Sequence, residues 1–255
     1  MLGRRGLDRA PSVSAETFLS RRIARSAERL VPAMTLAYIA SALVVLAFQW
    51  HEIPSAISLI VTSAFTGTAA AGGFAGATMA RAAAYGFRRG VISSEAGVGS
   101  AAIAHAAARA EPHQQGVIAM MGVFIDTLVV SSMTALVIVT TGTWSSGLIS
   151  SEMTAEAFNR QLPGGALIVA GVSAIFGFTT MLGWAYYCEQ AVRYVFGAEA
   201  TKPFLWIYCA LAAAGAVFEV KPLWDWGDIF IGLMVLPNLV GLVGLRRVVK
   251  EMSRS

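Results

Sequence analysis

Six long apolar stretches limit what this chain can fold into more than any other feature. They run over 31–50, 53–80, 116–142, 166–187, 203–220 and 229–245, the first reading VPAMTLAYIASALVVLAFQW. A helix needs about 20 apolar residues to cross roughly 30 Å of hydrocarbon, and each stretch has that length or falls slightly short. Backbone amides in hydrocarbon find no water, so each must be satisfied within its own segment, which makes these stretches helices. A barrel would need strands of about ten alternating residues, and runs such as ALVVLAF do not alternate. The fold class is therefore all-α, a polytopic membrane protein of about six transmembrane helices.

Composition agrees. Of 255 residues 13% are charged, and the mean hydropathy is +0.64; soluble domains carry about 25% charged residues. Disordered, collagen-like and disulfide-framework classes are excluded, the last because Cys188 and Cys209 lie in or beside apolar stretches. A pI of 9.3 invites a nucleic-acid reading, but the basic residues flank the apolar stretches instead of forming one patch. No cleavable signal peptide is legible in the polar, Arg-containing start. The chain divides into a basic N-terminal segment (1–30), a six-span membrane domain (31–246) and a short tail (247–255).

Orientation follows from Lys and Arg. With the N-terminus inside and six crossings, the inner segments 1–31, 80–116, 188–203 and 246–255 hold 7, 4, 2 and 4 basic residues, leaving only Arg160 and Lys221 outside. By the positive-inside rule both termini are expected in the cytoplasm, with the chain multi-pass in the cell (inner) membrane. Trp50, Trp144 and the WDW at 224–226 then fall at the outer ends of spans, where interfacial indoles belong.

The second stretch is unusual. SAFTGTAAAGGFAGAT sets Gly67, Gly72, Gly73 and Gly76 among hydroxyls in mid-span, with Pro54 ahead of them. Each glycine weakens a helix by about 1 kcal/mol against alanine. Such a run suits a helix that unwinds at bilayer depth and exposes backbone groups to an ion or a substrate, as in many secondary transporters. The Ala-rich run 101–108 reads as a helix-packing surface.

Beyond it, GFRRGVISSEAGVGSA, with SAFTGTAAAGGFAGAT before it and QGVIAMMGVFIDTLVVSSMTALVI after it, resembles the sodium:alanine symporter family of bacterial amino-acid carriers. RIARSAERLVPAM, FGFTTMLGWAYYCEQ and DIFIGLMVLPNLVGLV extend the resemblance from about Arg21 to Val249, in the family's order and spacing. The departures are small: Ser94 stands where members often have Asn, Ala102 where they have Pro, and Ala33 where they have an aromatic. The resemblance implies a leucine-transporter-type fold of two inverted five-helix repeats. It covers only that fold's C-terminal part, so a partial fold lacking most of the first repeat is expected. On this reading the chain is a fragment, and 1–18 match nothing in the family.

In such a carrier, sodium needs oxygen ligands and an amino acid needs polar groups beside a dry pocket. Ser63, Thr66 and Thr68 bracket the Gly-rich run and are the candidate cation ligands; the alternative for each is a hydrogen bond to the carbonyl one turn back. Thr180 and Trp184 are one turn apart on one helix face. With Thr179, Gly72 and Gly73 they are the candidate substrate-binding residues, the alternative being a packing tryptophan and a back-bonded threonine. Asp126 is the one carboxylate deep in the third stretch, and an intramembrane carboxylate is a functional-site candidate by default. Its open roles are cation coordination, proton coupling and a structural hydrogen bond. Glu95, with Arg88 and Arg89 close before it, offers a gating pair or a structural bond, while the arginines also serve as topology signals.

His51, His105 and His113 have no partners at ligand spacing. Phosphate-loop, nucleophile-elbow and zinc patterns are missing from the sequence, so an enzyme is not expected. Two functions stand. One is cation-coupled symport of alanine or another small neutral amino acid by alternating access, with sodium (or protons) as coupling ion and no organic cofactor. The other is a truncated, non-transporting fragment, or a subunit that needs a separately encoded N-terminal half.

Overall fold

A computed structural model describes residues 18–65, 79–108, 110–218 and 220–252. Every regular element among them is helical. In chain order these are α1 (Phe18–Phe48), α2 (Ile53–Phe65), α3 (Met79–Ser94), α4 (Ser100–Ala106), α5 (Pro112–Phe124), α6 (Ser132–Thr140), α7 (Ser150–Gln161), α8 (Gly165–Phe196), α9 (Thr201–Gly215) and α10 (Val220–Met252). A π-helical turn, Ile125–Ser131, fuses α5 to α6, so the two form one rod.

Local chemistry sets several boundaries. Pro112 opens α5 at its first turn, where its missing N–H has no helical acceptor to lose. Gly164 at φ +81° breaks the chain before α8, and Gly197 ends that helix. Gly165 is a close-approach glycine: a Cβ there would meet the Phe158 carbonyl oxygen at 2.5 Å. The α7–α8 corner can therefore close as tightly as it does only with glycine at this position.

Four helical segments are long and apolar enough to cross a bilayer: Arg29–Phe48, Pro112–Thr140, Gly165–Phe196 and Pro222–Glu251. They coincide with the first, third, fourth and sixth apolar stretches of the sequence. The second is described only as α2 and the beginning of α3, since 66–78 lie outside the described residues. In the fifth, α9 has 15 residues, about 22 Å at 1.5 Å per residue. That is shorter than the hydrocarbon layer.

The tightest packing gathers around α7. Ala42, Val45 and Leu46 of α1, Val137 of α6, Ala157 and Phe158 of α7, and Val169 of α8 form one buried cluster. Phe158 is fully buried, and its ring lies 5.5 Å from that of Tyr38. The Tyr38 hydroxyl in turn bonds the Thr134 hydroxyl, tying α1 to α6. Elsewhere large apolar side chains face outward, as with Leu167, Trp206 and Val240. Outward apolar side chains along long apolar helices are what a bilayer solvates.

Candidate functional site

The segment joining α3 to α4 is the most constrained piece of backbone among the described residues. Glu95, Gly97 and Gly99 all have positive φ, at 51°, 83° and 97°. For Glu95, which carries a Cβ, this is a sparsely populated conformation that persists only when its surroundings fix it. They do. The Ser100 hydroxyl, itself almost fully buried, donates to Glu95 Oε2 at 2.6 Å. The Asn238 amide of α10 donates to the Gly97 carbonyl at 2.9 Å. A Cβ on Gly99 would sit 3.1 Å from the Asn238 side chain, so this glycine serves both conformation and close approach. The SEAGVGS phrase thus folds as a knuckle pinned to α10.

Arg88 and Arg89 do not pair with Glu95 here. Both turn to Asp228 of α10, at 3.8 and 3.4 Å from its Oδ2. Arg89 also lies over the Trp224 ring, 4.5 Å from its centre, a cation–π contact. Sequence proximity favoured Glu95, but the bend at 95–97 carries its carboxylate back to Ser100 and leaves the arginines to the neighbouring helix. These contacts also join two stretches, 80–116 and 224–228, that the charge count assigns to opposite membrane faces. Between α3, the knuckle and α10 lies a cavity of about 340 Å³ with mostly apolar walls.

Asp126 occupies the π turn, and Ser93 of α3 donates to its Oδ2 at 2.7 Å. The hydroxyls of Ser131, at the end of the turn, and Ser132, at the start of α6, reach back five residues to the carbonyls of Asp126 and Thr127. The Thr127 hydroxyl is buried without a hydrogen-bond partner. A π turn widens the helix and often marks a functional position. Of the three roles open to Asp126, the structure displays a hydrogen bond between helices.

On α8, Thr179 is buried and donates to the Phe176 carbonyl at 3.0 Å, so its hydroxyl is already engaged. Thr180, one residue on, is exposed, and Trp184 is half-buried with its ring in an edge contact to Tyr187 at 5.8 Å. Ser63 is half-buried near the end of α2. Thr66, Thr68, Gly72 and Gly73 lie outside the described residues. Neighbouring Thr62 bonds back to the Ser58 carbonyl at 2.7 Å, as intramembrane threonines do.

Three groups were not singled out from the sequence. Asp228 and Glu189 each carry a carboxylate into a long apolar helix, the same signal that marked Asp126. Glu189 is buried and pairs with Arg193 one turn on, at 3.5 Å. Asn238, in the middle of α10, had only its place in LPNLVGL to recommend it. Among the described residues no cluster of three or more His, Cys, Asp or Glu could hold a metal ion. His105 is taken by a hydrogen bond with Gln115.

With every regular element among its described residues helical, four bilayer-length apolar helices and polar groups placed between them, the chain is an all-α polytopic membrane protein. It belongs to the sodium:alanine symporter family, whose model matches residues 19–255; members of this family are transporters, not enzymes. An uncharacterised transporter of Haemophilus influenzae is 41% identical over 238 residues, covering 92% of this chain and 52% of that protein. The sodium/alanine symporter AgcS of Methanococcus maripaludis is 36% identical over 240 residues, again 92% and 52%. A sodium/proton-dependent alanine carrier protein of Bacillus sp. strain PS3 is 29% identical over 249 residues, 88% and 54%. The chain therefore spans about half the length of the curated relatives it matches.

Proposed function

We propose that the chain serves cation-coupled symport of alanine or another small neutral amino acid by alternating access, with sodium as coupling ion and protons as the alternative. The observation that carries this reading is the family match over residues 19–255. Relatives named for sodium/alanine and sodium/proton-dependent alanine transport support it. On this reading Thr180 and Trp184 line the amino-acid pocket beside Thr179, Gly72 and Gly73. Ser63, Thr66 and Thr68 supply oxygens to the cation. Asp126, held by Ser93, steadies α3 against the π turn, and the knuckle around Glu95 is the element that moves or locks during access. Arg88 and Arg89 fasten it to α10 through Asp228.

A second reading is favoured by the half-length coverage. Transport then requires a separately encoded N-terminal half, and this chain alone is silent. Sodium-driven uptake of radiolabelled alanine into proteoliposomes holding only this chain separates the two. Uptake that collapses with the sodium gradient supports a self-sufficient carrier. Uptake that appears only on adding an N-terminal half supports the split carrier. Its absence in both, from folded and inserted protein, removes the transport reading.

We further propose an inner-membrane location with both termini cytoplasmic, because the two terminal segments hold 7 and 4 of the 19 basic residues. That topology sets residues around 90 and 225 on opposite membrane faces, whereas Arg89 lies over the Trp224 ring, so the two arrangements exclude each other. In a variant lacking Cys188 and Cys209, an impermeant maleimide should label Gly90→Cys and Asp225→Cys from opposite sides. Labelling from the same side would overturn the cytoplasmic placement of both termini and show that the α3–α10 pairing is kept in the membrane.

A further inference from the structure

Tyr208 carries a hydroxyl into the middle of α9, which reads FLWIYCALAAA around it. Hydrocarbon offers such a group no water, so its partner has to come from the protein. The hydroxyl donates to the Met181 carbonyl of α8 at 2.8 Å. That carbonyl already accepts the helical bond from the Ala185 N–H, and its oxygen has a second lone pair to give. The tie between the two helices therefore lands on backbone, where α8 cannot shift without carrying a whole turn with it.

The turn it holds is the one that bears Thr180 and Trp184. At about 100° per residue, Met181 lies roughly 100° round α8 from Thr180 and roughly 60° from Trp184. So α9 grips the flank of that face and leaves the face itself open. Tyr187 meets the Trp184 ring edge-on at 5.8 Å, and Phe204 stands beside the Tyr208 ring with centres 6.2 Å apart. The contact also agrees with the orientation read from the basic residues. Met181 stands six residues before the inner end of the fourth apolar stretch, and Tyr208 five residues past the inner end of the fifth. At 1.5 Å per residue these are depths of about 9 and 8 Å, so the two groups meet on one level.

We propose that Tyr208 is a positioning residue: its hydroxyl fixes the rotation of the Thr180–Trp184 turn and so sets how closely the indole shuts on a small side chain. This rests on the reading that Thr180 and Trp184 line the amino-acid pocket. Tyr208 itself touches no substrate, since it reaches α8 from the flank. Without the hydroxyl, α8 loses its tie at Met181 and the indole gains room to yield. A bulkier side chain then enters at less cost, while a small one is held less well.

Tyr208→Phe removes the hydroxyl and keeps the ring, and two measurements test it. In this chain, hydrogen–deuterium exchange read by mass spectrometry should quicken over 180–186 and stay unchanged over 165–175. Phe204→Leu, which spares the hydroxyl, should leave 180–186 as in the wild type. In a full-length member carrying these residues, Tyr208→Phe should weaken alanine binding by roughly threefold to tenfold. Valine binding should change less, so the preference for alanine over valine narrows. Unchanged exchange over 180–186 would overturn the brace. Quickened exchange with both affinities intact, or with both lowered equally, would overturn the positioning role and leave an ordinary tie between helices. Should Trp184→Ala also leave alanine affinity intact, the pocket reading itself falls, and the role of Tyr208 with it, whatever the exchange shows.

Discussion

Replacing Phe158 with alanine is expected to destabilise the chain by about 3–5 kcal/mol, the largest effect on folding of any single side chain here. Phe158 is fully buried, and what surrounds it comes from three elements far apart in sequence. The Tyr38 ring of α1 lies tilted against it at 5.5 Å, Val137 of α6 and Val169 of α8 complete the cluster, and its own carbonyl lies against Gly165. Removing the ring would leave a void that these neighbours cannot fill without moving. The Tyr38–Thr134 bond and the tight α7–α8 corner both oppose such movement. Thermal unfolding followed by circular dichroism in one detergent measures the loss. Phe196→Ala is the control, because that ring is 74% exposed and its removal opens no cavity. Equal shifts for the two variants would mean that the cluster around α7 is not the core.

Trp184→Ala is expected to abolish amino-acid binding when introduced into a full-length member carrying these residues, lowering affinity by roughly 100-fold or more while leaving membrane insertion intact. Large aromatic anchors in desolvated pockets supply losses of that size. The geometry favours Trp184 with Thr180 over Thr179. The Thr179 hydroxyl is spent on the Phe176 carbonyl, whereas Thr180 is exposed on the turn below a half-buried indole. Tyr187 fixes the edge of that indole at 5.8 Å, so the ring is positioned before any ligand arrives. Isothermal titration with alanine reads the effect, and unchanged affinity would reduce Trp184 to a packing residue.

The helices were legible because apolar length is a local property. Four of the six stretches are helices of bilayer length, and Asp126 was marked by being a carboxylate where none is cheap. Pairing is a different matter. Nothing in the spacing of Arg88, Arg89 and Glu95 indicates that a residue 139 positions away takes Arg89. The left-handed turn at Glu95 decides it by pointing the two signs of charge apart, and a non-glycine residue at positive φ leaves no mark in composition. Asn238 was invisible for a similar reason. A lone amide on an apolar helix gains meaning only when a carbonyl from a distant knuckle meets it at 2.9 Å. Asp228 could have been found by the rule that found Asp126, but it falls one residue before the sixth apolar stretch, beside the aspartate and tryptophans of WDW. The candidate site residues on 66–78 lie outside the described residues, and uptake and binding experiments bear on them directly.

The π turn at Ile125–Ser131 has a consequence for the whole α5–α6 rod. An added residue in one turn shifts the angular phase of everything that follows. The rod therefore behaves as two helices joined end to end with their stripes out of step. The turn itself offers Asp126 to Ser93, and α6 beyond it offers Thr134 to Tyr38. A single unbroken span can in this way keep two appointments on different sides, one with α3 and one with α1. Relaxing that turn to ordinary α-helix would swing one set of contacts away while the other stayed fixed, a rotary clutch contained within seven residues.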